Sequence, residues 1–250
     1  MEVMIHRAVE TGLQGITFTE HLDPDYPVTP DNLDFSLDIP AYKEKLAELS
    51  DIYKDKIQVR FGIELGLQMH LREYFDSLLS QTPFDFVIGS SHLVHGYDPY
   101  YPEFFEGRKE FYVIWNTLNP FLKTFPHMTD LTFTDILIML SVMGPKQEPG
   151  ISYGRYKDIL DEILKKLISM GKGIELNTGG YHYGLGEPNP CTAVIRRYRE
   201  LGGEIITIGA DAHTPDKIAC AFDKAASVLE ACGFRYYTIF KDRKPEFISL

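Results

Sequence analysis

The sequence has only three cysteines in 250 residues, Cys191, Cys220 and Cys232. That is too few for a disulfide framework, and they lack the paired spacing of a metal finger. They read as core thiols of a chain kept in a reducing compartment. No apolar run reaches the length of a membrane span, and no signal-type leader opens the N-terminus. A cytoplasmic location with no membrane partner is therefore expected. Cations are scarce: 25 Lys and Arg stand against 36 Asp and Glu, a net charge of −11. A field of that sign repels polyanions, which sets nucleic acid aside as a ligand. Low-complexity tracts and sustained heptads are missing too, excluding disorder, collagen and coiled coil. What remains, 44% hydrophobic and 24% charged, is the composition of an ordinary globular chain. Residues 1–250 are long enough for one domain with a large core.

Apolar residues alternate between helical and strand periods along the chain. Met4, Ile5, Ala8 and Val9 mark a helix stopped at Gly12, and Gly15 to Thr19 reads as a strand. Tyr42, Leu46, Leu49 and Tyr53 give a second helix, followed by a strand through Ile57, Val59, Phe61 and Ile63. Leu71, Phe75, Leu78 and Leu79 form the next helical face, and Phe84 to Ile88 the next strand. The clearest helix carries Tyr156, Ile159, Leu160, Ile163, Leu164, Leu167 and Ile168 on one face and stops at Gly171. Strands at Ile174 to Asn177, Ile205 to Ile208 and Tyr236 to Phe240 follow. Between them lie helical faces at Val194 to Leu201 and Ile218 to Leu229. Repeated βα units with short connections predict parallel strands with helices outside them, and a barrel is the first choice.

In a parallel barrel, functional side chains gather at the C-terminal ends of strands. Four strand ends carry metal-type ligands: Thr19-Glu20-His21, Gly62-Ile63-Glu64, Ser90-Ser91-His92 and Gly209-Ala210-Asp211-Ala212-His213. One histidine after a strand is ordinarily a packing or capping residue, and one glutamate a solvated carboxylate. Asp211 and His213 are a stronger signal, because residues two apart in an extended segment project to the same side. Four such ends together point to a hydrolytic metal centre, whose cations require converging His and carboxylate ligands.

These segments resemble the PHP (polymerase and histidinol phosphatase) metallohydrolases, in particular their histidinol-phosphatase branch. The resemblance runs through Ile16 to His21, Gly62 to Gly66, Phe86 to His92, Gly173 to Gly180, Gly184 to Pro190 and Ile208 to His213. It implies an α/β fold, a distorted TIM-like barrel of about seven βα units. It also implies a cluster of two or three divalent ions, zinc, manganese or iron. Carried over by position, His21, Glu64, His92, Asp211 and His213 are implied metal ligands. Glu64 falls in the bridging place, and Glu64, Asp211 and His213 at the catalytic centre. Asn177, His182 and Tyr183, with the Gly179-Gly180 turn, are implied to shape the substrate pocket. His182 stands where the family is expected to prefer arginine, whose planar fork binds phosphate in a bidentate way. Tyr97 to Glu106 is expected to cover the imidazole end of the substrate.

The sequence departs from the family pattern in two places. An initial strand with an H-x-H ligand pair is not seen, so Met1 is expected to be an internal methionine, with roughly twenty residues preceding it. Across residues 111–143 the α-β rhythm fails, with Pro120 and Pro126 interrupting any helix. Asp135 to Pro145 stands where the family has G-H-(I/L)-D-Y-V-x-R-Y-G-P. One base back, suitable codons for Asp135 onward read Gly-His-Ile-Asp-Tyr-Val-Ile-Arg-Tyr-Gly, and the same shift from Trp115 restores an amphipathic pattern. A double frame slip is expected here, with real divergence as the alternative. A first strand and three ligand histidines fewer would leave the chain as written unstable or inactive.

The resemblance implies hydrolysis of L-histidinol phosphate to L-histidinol and phosphate, a small-molecule phosphomonoesterase of histidine biosynthesis. The alternatives are a PHP phosphoesterase with another small phosphate ester and a remnant lacking metal ligands. Nothing in the sequence reads on the oligomeric state.

Overall fold

The computed structural model describes residues 1–28, 31–99, 101, 104, 106–107, 133–134 and 153–250. Helix α1 (Glu2–Glu10) precedes β1 (Gly15–Leu22), and α2 (Ile39–Tyr53) precedes β2 (Gln58–Gly66). Then come a 3-10 turn at Met69–Leu71, α3 (Arg72–Gln81), β3 (Phe86–Ser90) and β4 (Phe133–Thr134). The second half holds α4 (Tyr153–Ser169), β5 (Gly173–Asn177), α5 (Gly179–His182), α6 (Thr192–Glu200) and β6 (Ile206–Gly209). A 3-10 turn at Pro215–Lys217, α7 (Phe222–Ala231), β7 (Tyr236–Lys241) and β8 (Lys244–Ser249) complete it.

Strands β1 to β6 form one sheet in sequence order, every neighbouring pair parallel. Parallel neighbours need a crossover, which α2, α3, α4 and α6 provide for the pairs they join. β7 and β8 form an antiparallel hairpin, and Thr238 Oγ1 of β7 accepts from Ile206 N of β6 at 3.3 Å. Helix α2 starts where Asp38 accepts from Ala41 N at 3.0 Å and Pro40 supplies a preset φ in the first turn. Its Tyr42 hydroxyl lies 3.0 Å from Phe18 O and 2.9 Å from Gly62 O, tying the helix to β1 and β2. The α4 stripe of Ile159, Leu160, Ile163, Leu164 and Leu167 is buried against Ile174, Leu176, Val194 and Ile195. A second core joins Ile5, Ala8, Tyr42, Leu46 and Leu49. Among the described residues no helix is long and apolar enough to cross a membrane, and no disulfide is formed.

The structure differs from the sequence reading in detail. β1 and β2 run further than the apolar pattern indicates, so His21 and Glu64 lie inside strands. The polar site residues interrupt the alternation on which the strand ends were judged. Ile218 caps the 3-10 turn instead of joining α7, and it packs with the α1–α2 core. Residues 111–132 and 135–143, which hold the expected frame slip, lie outside the described residues. The two described positions of that segment form β4, parallel between β3 and β5.

Helices α4 and α6 are clamped by a bidentate pair. Arg197 donates from Nε to Asp161 Oδ1 at 3.0 Å and from Nη2 to Oδ2 at 2.7 Å, and the Tyr153 hydroxyl donates to Asp161 Oδ1 at 2.8 Å. Hydrogen bonds from Arg197 hold the Asp161 carboxyl below its ordinary 3.8, at about 2. The folded-state value is depressed, so the pair stabilises fully above the unfolded value and loses its contribution as pH falls toward the folded one. Arg197→Met is expected to lower the unfolding free energy at neutral pH, because it removes the bidentate hydrogen bonds to Asp161. Denaturant titrations of both proteins should show this gap narrowing below pH 3.8.

Candidate metal centre

The C-terminal ends of β1, β2 and β3 stand side by side. His21 of β1 is the register partner of Glu64 on β2, and Glu64 pairs in turn with Ile88 on β3. The exit from β3 then carries His92 back over Glu64. His92 Nε2 lies 2.9 Å from Glu64 Oε1, and His21 Nε2 lies 3.9 Å from Glu64 Oε2. The His21 ring is 5.0 Å from that of His92 and 5.9 Å from that of His213, the latter pair inclined by only 15°. His213 Nε2 lies 3.2 Å from Asp211 Oδ1. The five residues singled out as ligands from the sequence therefore make one continuous chain of contacts across the strand ends.

Charge within this chain is arranged for a cation. Burial pushes the Glu64 carboxyl up, but the neighbouring His21 and His92 imidazoles outweigh it and hold it at about 2. Burial pushes His92 down, and Asp23 and Glu64 reverse this and raise it. A hydrogen bond to Asp211 raises His213. Imidazole nitrogens and carboxylate oxygens are the donor set of zinc, manganese and iron. His21 Nδ1 is buried with no hydrogen-bond partner among the described residues, an orphaned polar atom beside the candidate ligands. The residues present therefore fit such an ion.

Asp23, only 3% exposed, escaped the sequence reading. Its carboxylate oxygens lie 2.9 and 3.0 Å from His92 Nδ1. One ligand atom each of His21, Asp23 and His92 falls within 4.8 Å of the others. Both Asp23 oxygens are nevertheless spent on Nδ1, so this carboxylate orients His92 and leaves Nε2 to face Glu64. Gly66 makes the seat: a Cβ there would lie 1.6 Å from Asp23 Oδ1. Asp23 is two residues beyond His21, and the spacing argument used for Asp211 and His213 would have found it.

Glu175 also went unnoticed. It is buried in β5, accepts from Thr207 Oγ1 at 3.2 Å, and occupies the space left by the missing side chain of Gly209. Burial, then the charges of Glu64 and Asp211, push its carboxyl up to about 8. A polar residue in the middle of Gly-Ile-Glu-Leu-Asn was the available signal.

The opposite wall gathers the expected substrate residues. Asn177 Oδ1 accepts from Gly179 N at 2.7 Å. A Cβ on Gly179 would lie 3.2 Å from the Tyr183 ring and 3.5 Å from Asp211 Cβ, so these groups crowd one glycine. The His182 ring lies 4.3 Å from that of Tyr183, and burial, then Lys217, lower its pKa. Above His21 sits Phe35, its ring 5.4 Å away and 4.5 Å from that of Tyr26. Tyr26 donates to Asp98, and Tyr101 donates to Asp31 at 3.1 Å. The segment after β1 is thus tied to the loop after β3. Within Tyr97–Glu106, residues 100, 102, 103 and 105 lie outside the described residues.

Comparison with known proteins gives a consistent picture. The PHP domain family matches residues 1–179. The histidinol-phosphatase of Lactococcus lactis subsp. lactis is 28% identical over 247 residues, covering 96% of this chain and 88% of that protein. A relative in Clostridium acetobutylicum, described as a probable histidinol-phosphatase, is 30% identical over 240 residues, covering 92% and 88%. Among solved structures, the Lactococcus lactis histidinol phosphate phosphatase complexed with zinc, L-histidinol and phosphate superposes with a TM-score of 0.89 at 27% identity. That match covers 98% of this chain and 92% of the other.

Proposed function

Since the chain belongs to the PHP domain family, we propose that it is a metal-dependent phosphomonoesterase hydrolysing L-histidinol phosphate to L-histidinol and phosphate. The contact chain from Asp211 through His213, His21, Glu64 and His92 to Asp23 carries this reading. In it, His21, Glu64, His92, Asp211 and His213 would hold divalent ions, and Asp23 fixes the orientation of His92. When bound, such ions neutralise phosphoryl charge and activate the attacking water. Asn177, His182 and Tyr183 form the wall that positions the ester. The substrate carries a basic amine and an imidazole, and a chain of net charge −11 favours that cationic end.

The six parallel strands are read as part of a distorted TIM-like barrel of the (βα)7 kind, with residues 1–250 as one domain. Ligand residues at the strand C-termini are where such a barrel carries its site. The reaction belongs to histidine biosynthesis, and a chain with only three cysteines agrees with a reducing cytoplasm.

Purified protein loaded with zinc or manganese should release phosphate from L-histidinol phosphate in preference to a panel of other phosphomonoesters and a 3′-phosphorylated oligonucleotide. Equal turnover across the panel would replace the specific reading with a general phosphoesterase. Absence of turnover with one ion or fewer bound per chain would identify an impaired remnant.

A further inference from the structure

Beyond β5 the chain turns through α5 and returns as Gly184-Leu185-Gly186-Glu187-Pro188-Asn189-Pro190, a segment to which the proposed chemistry gives no part. Its return is fixed by the backbone. Asn177 N donates to Asn189 O at 2.7 Å, and Asn189 N donates to Asn177 O at 2.9 Å, an isolated antiparallel bridge. Gly180 permits the approach, because a Cβ there would lie 2.3 Å from Glu187 O and 3.3 Å from Asn189 N.

Two residues that exchange both bonds in an antiparallel pair stand directly opposite, with side chains on the same face. The face in question can be identified. Along β5, Ile174 and Leu176 are buried in the core with α4 and α6. Glu175, on the alternate face, is within electrostatic reach of Glu64 and Asp211. Asn177 shares the face of Glu175, and its Oδ1 sits at Gly179 beside Asp211. Asn189 therefore projects toward the metal centre next to Asn177.

Asn189 is 1% exposed, and its Nδ2 has no hydrogen-bond partner among the described residues. Buried donors are almost always paired, and the main-chain groups of this residue are already taken by Asn177. The carboxamide is therefore a donor held in reserve on the wall of the site. On L-histidinol phosphate the ammonium can only donate, whereas the phosphoryl oxygens and one nitrogen of a neutral imidazole accept; the charged phosphoryl oxygens make the stronger bond. A neutral amide supplies such a bond without adding charge beside the carboxylates. We infer that Asn189 is a substrate-binding residue of the proposed phosphatase, its Nδ2 donating to a phosphoryl oxygen of the bound ester. The inference rests on the phosphomonoesterase reading for its ligand.

The test uses the metal-loaded protein and its Asn189→Asp and Asn189→Ser variants. The bridge to Asn177 is made by backbone atoms, so both variants can retain it, and Asn189→Ser serves if the aspartate prevents folding. Inorganic phosphate binding is measured by calorimetry, and phosphate and L-histidinol are compared as inhibitors of hydrolysis. Loss of the amide donor is expected to weaken inorganic phosphate about tenfold, the scale of one hydrogen bond to a charged group, while L-histidinol inhibition stays within about twofold. Unchanged phosphate binding in both variants overturns the inference, as does equal weakening of phosphate and L-histidinol. If wild-type protein binds phosphate through Asn189 but does not cleave L-histidinol phosphate, the catalytic reading fails and only the phosphate contact of Asn189 stands. If it cleaves the ester and the variants bind phosphate as wild type does, the reverse holds.

Discussion

Asp23→Asn is expected to weaken divalent-metal binding about 10- to 100-fold, the range found when the partner of a ligating histidine is removed. The wild-type carboxylate accepts from His92 Nδ1 with both oxygens, and this fixes which nitrogen of the ring turns to Glu64. Asparagine has nearly the same shape and still fits over Gly66, so packing is preserved. What changes is the charge that makes the imidazole a better donor to metal, and the certainty of its tautomer. Competition with a chromophoric chelator reads the affinity, and far-ultraviolet circular dichroism reads the fold. Unaltered affinity with unaltered fold would mean that Asp23 plays no part in holding His92.

Glu64→Gln should be more damaging to turnover, with kcat falling about 10²- to 10³-fold, comparable to the loss of a principal electrostatic partner in a reaction centre. Glu64 touches His92, faces His21 and is the register neighbour of His21. Its two oxygens therefore address two different imidazoles. Glutamine keeps one acceptor and turns the other into a donor, which points hydrogens at a ring nitrogen and at any cation between them. Metal analysis by mass spectrometry should show at least one ion lost per chain alongside the fall in kcat. Full occupancy with near-normal kcat would remove Glu64 from the centre.

Much of this arrangement was legible in the sequence because it depends on local periodicity. The stripe from Ile159 to Leu167 could belong only to a helix with one buried face, and α4 carries it as expected. The alternation of such helices with short apolar runs was enough for a parallel sheet. His21, Glu64, His92, Asp211 and His213 were visible because each follows an apolar strand segment. Asp23 and Glu175 were harder, since what defines them is distant: Gly66 and His92 for the first, Thr207 and Gly209 for the second. Asn189 was less visible still. Its direction is set by a two-bond bridge to Asn177, and neither composition nor spacing in a Gly- and Pro-rich return signals that bridge. β8 gave no periodic signal either, because all six of its residues are exposed and neither face is buried.

That last strand has a consequence for how the molecule behaves at high concentration. Among the described residues β8 pairs with β7 alone, so its other side offers backbone donors and acceptors to any passing chain, with Phe247 and Ile248 exposed beside them. Such an edge is a template for aggregation. Pro245 takes one N–H out of the row, and Lys244 and Glu246 flank it with hydrated charges of opposite sign. The hairpin thus carries its own gatekeepers against edge-to-edge pairing.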